Sequence, residues 1–346
     1  MIRAAVVGVG AIGRQHARVY SDIDGVQLDG VADPQSERRE SIARRYGVRA
    51  YADHQALLAA EPLDVVSVAV PTVQHLAVAL AALERGVHVL IEKPIAHSVS
   101  EADEMIAAAA SRGLVLTVGH VERFNPALVE LKRRLDANEL GRVFQAHARR
   151  LSPFPAYVKD VGVVMDLATH ELDVLTHLVP GPVTRVYAET GRNVHARYED
   201  MLLGMMRFAE GTLGVLDVNW VTPNKVRQLQ ITGAGGMFLL DYLHQDLFFY
   251  ENSEAPARWD ALALFKGVGE GNVLKIRIAK QEPLVAEIQS FVAAVKNGTP
   301  PLVTGRDGLR ALALAELLLA SAAAGSVLDV GAEVGRRGWP PLEGAG

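Results

Sequence analysis

The sequence contains no cysteine, and this absence excludes several kinds of chemistry. Without cysteine the chain has no disulfide framework, no thiolate nucleophile and no cysteine-ligated metal site. Blocks of one charge sign are also missing, since the formal net charge of −5 is spread over many acidic and basic residues. Non-specific binding to nucleic acid requires a basic stripe, so we expect no nucleic-acid partner.

Long hydrophobic runs are absent as well. Arg310 and Glu316 interrupt the apolar stretch at 309–324, whereas a membrane-spanning helix needs about 20 apolar residues. Residues 1–7 lead directly into a glycine-rich loop and are too short for a secretion signal. We therefore expect a cytoplasmic protein without a membrane partner, and its 346 residues suffice for two domains.

Short apolar runs alternate with helical patterns over the first 120 residues. Val, Leu, Ile and Ala dominate these runs, as in parallel strands that are buried on both faces. The spacing of strand, helix and strand indicates a doubly wound parallel sheet. We predict strands at residues 2–7, 26–32, 65–70, 87–91 and 114–118, with helices at 12–20, 36–46 and 73–84.

The pattern changes after residue 120 to period-two alternation. In 212–221, Leu216, Val218 and Trp220 alternate with Asp217 and Asn219, which predicts an open sheet covered by helices on one face. The predicted strands are 141–151, 183–191, 201–208, 212–221, 225–232 and 237–243; the predicted helices are 126–138, 166–178, 284–297 and 307–324.

The predicted fold class is therefore α/β. It comprises an amino-terminal Rossmann doubly wound parallel sheet plus a carboxy-terminal α+β domain with an open, mainly antiparallel sheet. We predict an NAD-binding Rossmann domain at residues 1–120 and a domain for substrate binding and oligomerisation at residues 121–330. A Gly- and Pro-rich tail follows at 331–346.

A G-x-G-x-x-G motif lies between the first predicted strand and the first predicted helix. Gly8 permits a tight turn, Gly10 lets a pyrophosphate approach the backbone, and Gly13 allows close helix packing. The start of the helix adds free N–H groups and a partial positive charge. The predicted cofactor-binding loop comprises Gly8, Gly10, Ala11, Ile12 and Gly13.

Asp33 ends the second predicted strand, 20 residues after Gly13. There a carboxylate accepts hydrogen bonds from the ribose hydroxyls and repels a 2′-phosphate, so we expect NAD rather than NADP as the cofactor. Arg38 and Arg39 lie close enough in sequence to weaken that preference, and we include Arg38 in the cofactor site. The alternative is a tight turn with a solvent-facing aspartate.

Glu92, Lys93 and Pro94 follow another predicted strand, at the edge where open α/β sheets bind ligands. Lys93 in this position can hydrogen-bond a reacting hydroxyl and ease its deprotonation. Pro71 and His75 follow the neighbouring strand, so we predict contacts of these two residues with the nicotinamide end of the cofactor. A solvated loop lysine and an ordinary helix start are the alternatives.

Asp166 and His170 lie four residues apart and share a helix face, which Asp173 and His177 continue. An imidazole accepts a proton near neutral pH, and a neighbouring carboxylate can orient it. Two alternatives are open: His170 lines the helix, or the stripe binds a divalent metal, as in a hydrolase. We predict no metal, because no glutamate or cysteine completes a familiar ligand spacing.

A polar cluster that includes His120, Arg123 and Asn125 follows the last predicted parallel strand. At a domain junction these three side chains can contact the substrate, and an interdomain salt-bridge patch is the alternative. Weaker candidates for substrate contact are Arg149, Arg150, Tyr157, Lys159 and Asn219.

The glycine loop, the Glu-Lys-Pro turn and the Asp-x-x-x-His pair, in this order, resemble the Gfo/Idh/MocA oxidoreductase family. The resemblance implies an NAD-dependent dehydrogenase in which Lys93 lies beside the reacting carbinol, Asp166 helps to hold the sugar and His170 accepts the proton. It also implies a cis Lys93–Pro94 bond and a homodimer or homotetramer formed through the open sheet.

The segments 118–126 and 218–225 further resemble members of this family that oxidise the C3 hydroxyl of UDP-N-acetylglucosamine. The departures are Ala168-Thr169 and Glu171-Leu172, where relatives more often carry Gly, a branched residue and Asp-Ile. Oxidation of another polyol or sugar (myo-inositol, a hexose or a UDP-sugar uronate) is the alternative within the family. A non-catalytic, dinucleotide-sensing regulator is the alternative of another class.

Overall fold

A computed structural model describes residues 1–155, 161–254 and 268–342 of the chain. The chain divides into two units. The first comprises Met1–Val121, Glu282–Ala313 and the segment from Arg336 onward, and the second comprises Glu122–Gln281 and Leu314–Gly335. Of the helices within the described ranges, none is both long and apolar enough to cross a membrane.

Six strands form the sheet of the first unit, in the order β3-β2-β1-β4-β5-β6. They are β1 (Ile2–Val7), β2 (Val26–Ala32), β3 (Arg49–Tyr51), β4 (Val65–Val68), β5 (His88–Ile91) and β6 (Leu116–Val118). All neighbours pair in parallel, which confirms the predicted doubly wound sheet. The sequence does not predict β3, because this short edge strand contains no apolar run. The order reverses between β1 and β4, and open α/β sheets bind ligands at such a point.

Five helices connect these strands: α1 (Gly13–Asp22), α2 (Ser36–Tyr46), α3 (His54–Ala60), α4 (His75–Glu84) and α5 (Val99–Ser111). Two begin with side-chain caps, since Asp53 accepts the N–H of Ala56 and Ser98 accepts the N–H of Glu101. Helix α1 begins directly after the glycine loop, at the carboxyl edge of the sheet.

The first α-helix of the second unit is α6 (Pro126–Asp136), which Asn125 caps by accepting the N–H of Ala127, as the Asn-Pro sequence predicts. Its sheet has nine strands, in the order β14-β13-β12-β11-β7-β10-β9-β8-β15. Only β7 and β10 pair in parallel among the described strands of this sheet, so the sheet is mainly antiparallel, as predicted. The strands are β7 (Val143–Leu151), β8 (Val183–Gly191), β9 (Met201–Phe208), β10 (Leu213–Asn219), β11 (Val226–Gly233), β12 (Gly236–Asp241), β13 (Asp246–Glu254), β14 (Val268–Ile276) and β15 (Leu328–Asp329).

The predicted helix at 166–178 consists of two parts: a π-helical turn, Val164–Ala168, leads into α7 (Thr169–Leu178). The inner face of the sheet buries small and branched side chains such as Ala148, Leu216 and Val218. On the outer face of the same sheet, Leu203 and Met205 of β9 are more than half exposed. The alternation read from the sequence therefore distinguishes the covered face from the open face.

The remaining helices are α8 (Pro283–Asn297), α9 (Gly305–Ala324) and α10 (Val330–Arg337). The sequence assigns α8 to the second domain at 121–330, whereas the structure places it in the first unit. The reason is its apolar stripe, because Ile288 and Phe291 pack with Ala4, Val6 and Tyr20 in one core. The predicted tail at 331–346 contains most of α10, and its residues 343–346 lie outside the described ranges.

Candidate active site

The glycine loop of the first unit requires glycine at two positions for packing. Gly8 has a φ of +86°, and a Cβ on Gly13 would lie 1.7 Å from the Gly8 carbonyl oxygen. Gly10 differs, because the nearest atom to an added Cβ there is Nη1 of Arg38 at 4.0 Å. The backbone at Gly10 thus borders open space beside a guanidinium and the start of α1. This arrangement fits a dinucleotide pyrophosphate, which is anionic and needs close access to backbone N–H groups.

Asp33 lies at the end of β2 and is almost fully buried. Its Oδ2 accepts the N–H of Val9 at 3.0 Å, and its Oδ1 accepts the N–H of Gln35 at 2.8 Å. Arg39 donates to the backbone oxygens of Asp33 and Pro34. A carboxylate has about four acceptor sites, so Asp33 both fixes the glycine loop and keeps capacity for ribose hydroxyls.

His75 occupies a different environment from that expected of a cofactor contact. Its Nδ1 lies 3.2 Å from the backbone oxygen of Ile95, and its Nε2 lies 3.0 Å from that of Val70. Burial lowers the pKa of His75. These contacts favour a structural role, in which the ring ties the end of β4 to the segment after residue 94. Pro71, predicted with His75, begins a short 3₁₀ turn at the same edge.

The turn at residues 92–94 follows β5, and the Lys93–Pro94 peptide bond is cis, as the resemblance implies. The Glu92 carboxylate is held from two sides. Its Oε1 accepts from Nε2 of His16 at 3.0 Å, and its Oε2 accepts the N–H of Lys93 at 3.3 Å. No motif in the sequence identifies His16 as a site residue. The available signal was its position with Ala17 and Tyr20 on the apolar stripe of α1, where a polar residue needs a partner.

In the second unit Asp166 lies in the π-helical turn and His170 in the first turn of α7. Both side chains are partly exposed. The hydroxyl of Thr169 donates to the backbone oxygen of Met165, at the point where the π turn gives way to α-helix. Single π turns are rare and occur frequently at functional sites, so the helix departs from regular geometry where the two predicted chemical residues lie.

Two buried ion pairs anchor α7. Nε of Arg123 donates to Asp173 at 2.8 Å, and its second nitrogen donates to the other carboxylate oxygen. Arg150 of β7 donates to Glu171 and, at 2.7 Å, to Glu122. Burial by itself lowers the pKa of Arg150, but the attraction of the two carboxylates raises it above the ordinary value, so the guanidinium stays charged. Glu171 and Asp173, which follow His170 by one and three residues, are therefore fixed to β7 and to Arg123 respectively.

The structure places the predicted substrate residues as follows. Arg123 is paired with Asp173, and Asn125 caps α6 while its Nδ2 donates to the backbone oxygen of Tyr242 at 3.2 Å. These contacts favour structural roles for both residues. His120 is buried in the first unit. Of the weaker candidates, Arg150 is the centre of the buried cluster, whereas Tyr157 and Lys159 lie outside the described residues.

Asn219, another weaker candidate, stabilises the turn after β10. Its Oδ1 accepts the N–H groups of Val221 and Thr222. Within the described ranges no group of three or more His, Cys, Asp or Glu side chains is placed to hold a metal ion. The first unit thus gathers the glycine loop, Asp33 and the 92–94 turn at one sheet edge, and the second unit carries Asp166 and His170 on an anchored helix.

Comparisons with known proteins agree with this arrangement. Residues 2–120 match the model of the GFO_IDH_MocA oxidoreductase family, NAD-binding Rossmann fold, and residues 128–239 match the GFO/IDH/MocA C-terminal domain. The chain is 34% identical to UDP-N-acetylglucosamine 3-dehydrogenase of Acidithiobacillus ferrooxidans, over 91% of this chain and 95% of that protein. It is 26% identical to scyllo-inositol 2-dehydrogenase (NAD(+)) of Bacillus subtilis, over 88% and 90% of the two chains.

The structure of this chain is also similar to solved structures of oxidoreductases. A structure of the Acidithiobacillus enzyme has a TM-score of 0.81 at 33% identity and covers 93% of this chain and 98% of that chain. A levoglucosan dehydrogenase in complex with NADH has a TM-score of 0.83 at 20% identity, over 95% and 99% of the two chains, and shares the fold. The fold, the glycine loop and the matched models lead to one conclusion: the chain belongs to the Gfo/Idh/MocA family and is an NAD-dependent oxidoreductase.

Proposed function

We propose that this enzyme oxidises the C3 hydroxyl of UDP-N-acetylglucosamine with NAD and forms the 3-keto nucleotide sugar. The observation that carries the proposal is the 34% identity over 91% of the chain to an enzyme named for this activity. Lys93, Asp166 and His170, the three residues that the family resemblance assigns to the chemistry, are all present. A regulator that only senses a dinucleotide has no need of this set.

We assign the chemical roles as follows. His170 accepts the proton of the C3 hydroxyl, because an imidazole changes charge near neutral pH. Lys93 donates a hydrogen bond to the same oxygen and stabilises the negative charge that develops there. Asp166 holds the sugar through its hydroxyls. NAD, when bound, supplies the acceptor for the hydride that leaves C3, so the alcohol becomes a ketone with release of one proton.

The cofactor roles belong to the first unit. Gly8, Gly10 and Gly13, with Ala11 and Ile12, form the loop that receives the pyrophosphate at the start of α1. The Asp33 carboxylate accepts hydrogen bonds from the ribose hydroxyls, and its negative charge disfavours binding of a 2′-phosphate. Arg38, whose guanidinium lies beside Gly10, is placed to neutralise phosphate charge. Glu92 acts as a fixed negative charge beside Lys93.

The direct test mixes purified protein with NAD and UDP-N-acetylglucosamine and follows NADH by absorbance and the loss of two hydrogens from the sugar by mass spectrometry. We expect turnover with this substrate and at least about a hundredfold slower hydride transfer in single turnovers of His170→Asn, in line with loss of a general base. A variant rate equal to that of the unmodified protein would remove the proton-acceptor role.

The second candidate substrate class is a free polyol, which the similarity to an inositol dehydrogenase favours. A panel of UDP-N-acetylglucosamine, a UDP-sugar uronate, myo-inositol, scyllo-inositol and a hexose separates the candidates by kcat/KM. A preference for an inositol would replace the substrate in the proposal and leave the roles of Lys93 and His170 intact. The absence of turnover with every alcohol would favour the sensing role.

We also infer that the enzyme forms a homodimer or homotetramer through the outer face of the open sheet. Leu203 and Met205 of β9 and Leu213 of β10 lie on this face and are 52%, 54% and 43% exposed. Met205 pairs in register with Val215 and Tyr187, so these apolar side chains are contiguous. Sedimentation should show an oligomer that Met205→Asp dissociates, whereas a monomeric wild-type protein would contradict the inference. The cytoplasmic location stays a prediction from the sequence.

A further inference from the structure

A chain of buried hydrogen bonds lies beneath the turn at residues 92–94, entirely within the first unit. The hydroxyl of Tyr20 lies 2.9 Å from Ser67 Oγ, which lies 3.0 Å from Nδ1 of His16. Nε2 of the same imidazole lies 3.0 Å from Oε1 of Glu92. Tyr20, Ser67 and His16 have no solvent exposure. The chain therefore links α1 and β4 to the end of β5 through buried side chains.

The direction of these hydrogen bonds follows from Glu92. An ionised carboxylate only accepts, so Nε2 of His16 donates to it. With a neutral imidazole, Nδ1 then accepts from the Ser67 hydroxyl, and Ser67 Oγ accepts from the Tyr20 hydroxyl. Each group has a partner in this arrangement, which matters because an unsatisfied polar group in a core is costly.

Glu92 is ionised because of these contacts. Burial by itself raises the pKa of the Glu92 carboxyl, but the hydrogen bond from His16 and the positive charge of Lys93 outweigh it. The result is a pKa below the ordinary value. Gly119 makes room for the carboxylate, since an added Cβ there would lie 3.1 Å from it. Glu92 thus has one well-defined position at the carboxyl edge of the sheet.

We propose that His16 is a positioning residue for Lys93: through Glu92 it fixes the turn from which the lysine side chain extends. Ser67 and Tyr20 orient the imidazole, His16 orients the carboxylate, and the carboxylate holds the N–H of Lys93. The inference rests on the proposed role of Lys93 in oxidising a hydroxyl. It adds that buried side chains, on the side of the turn away from solvent, hold the turn that carries Lys93.

Two substitutions at one position separate the two bonds of the imidazole. His16→Asn places an amide near the position of Nδ1, so it keeps the bond to Ser67 and loses the bond to Glu92. His16→Gln reaches toward the position of Nε2 and keeps the bond to Glu92. The matched control is His88→Asn, because Nδ1 of His88 accepts the N–H of Val115 at 2.8 Å at the opposite end of β5.

The first readout is the pH profile of kcat. The charged and titratable groups that face Glu92 are His16 from α1, Lys93 next in the chain and His75 from α4. Without the hydrogen bond from His16, the effect of burial is opposed less and the pKa of Glu92 rises. The kcat of His16→Asn should therefore fall relative to wild type as the pH is lowered. Relative to wild type, we expect the kcat of His16→Asn to fall by about tenfold for each pH unit below the raised pKa of Glu92, and to recover to within about twofold at pH 8. KM for the alcohol should change little.

The second readout needs neither cofactor nor substrate. Carbon-13 carboxyl NMR of the glutamate-labelled, cofactor-free protein, with Glu92→Gln to assign the signal, reports the titration of Glu92 directly. We expect its midpoint to move to higher pH in His16→Asn and to stay close to wild type in His16→Gln and His88→Asn. Circular dichroism at each pH verifies that the variants are folded.

Two outcomes would overturn the inference. One is a Glu92 titration that is the same in wild type and His16→Asn. The other is an equal loss of kcat at every pH in His16→Asn and His16→Gln, which indicates only a packing role. If UDP-N-acetylglucosamine is inert and a polyol is oxidised, the same profile is measured with the polyol, and only the proposed substrate fails.

Discussion

The first unit presents its candidate cofactor-binding groups largely through the backbone, whereas the second unit carries Asp166 and His170 at the start of a helix that buried ion pairs hold in place. At the glycine loop the geometry depends on missing side chains, since Gly13 has no room for a Cβ and the backbone at Gly10 borders open space. On α7 the chemistry depends on side chains, because Arg123 and Arg150 fix the acidic residues around His170. The comparison teaches that a phosphate site and an acid–base site make different demands on the protein.

The largest expected effect comes from breaking the anchor of α7. Arg150→Met leaves the fully buried carboxylate of Glu171 without its ion-pair partner, and removing one partner of a buried pair costs about 3–5 kcal/mol. Urea unfolding measures this loss. The matched control is Arg133→Met on α6, whose pair with Glu130 is exposed, and it should cost less than about 1 kcal/mol. Equal effects of the two substitutions would contradict the distinction between buried and exposed pairs.

The next largest effect comes from the glycine loop. Gly13→Ala forces the backbone apart, because its Cβ would lie 1.7 Å from a carbonyl oxygen, and we expect a loss of about 3 kcal/mol of stability. Gly10→Ala meets no protein atom closer than 4.0 Å, so stability should change by less than about 0.5 kcal/mol.

The same pair of variants separates folding from cofactor binding. We expect Gly10→Ala to weaken NAD binding at least about tenfold, which corresponds to about 1.4 kcal/mol, because the added methyl group occupies the side that the pyrophosphate approaches. Calorimetric titration with NAD checks this. Wild-type affinity in Gly10→Ala would show that the pyrophosphate lies elsewhere.

A loss of stability smaller than those of Arg150→Met and Gly13→Ala is expected in the loop before β9. The Asp200 carboxylate accepts the backbone N–H groups of Asn193, Val194 and His195. Burial raises the pKa of Asp200, but these N–H groups outweigh it and lower the pKa below the ordinary value. A depressed pKa means that the carboxylate stabilises the fold above its unfolded-state pKa and loses this contribution as pH falls through the folded-state value.

Asp200→Asn should therefore cost about 1–2 kcal/mol at neutral pH. The difference in Tm between wild type and variant should stay constant above about pH 5 and shrink below about pH 4, where the wild-type carboxylate takes up its proton. Thermal unfolding at a series of pH values provides the measurement. A difference that persists unchanged in acid would show that the carboxylate charge contributes nothing.

Sequence patterns anticipated most of the fold because the patterns are local. Continuous apolar runs identified five of the six parallel strands, and alternation separated the buried and open faces of the second sheet. They failed at β3, which has no apolar run, and at α8, whose apolar stripe does not reveal which core it joins. The helical pattern of apolar residues also did not predict the π turn before α7.

The sequence by itself was enough to predict the glycine loop, the ends of the strands that precede Asp33 and Glu92, and the family. It also showed that Asp166 and His170 lie one helical turn apart. These features depend on residues close together in the chain, so spacing carries the information. Only the tertiary structure decided which buried polar groups became partners. His16 bonds to Glu92, 76 residues away in the sequence, and Arg123 bonds to Asp173, 50 residues away. The reason is that a desolvated polar group needs a hydrogen-bond partner, and only the packing of the core decides which group lies near it.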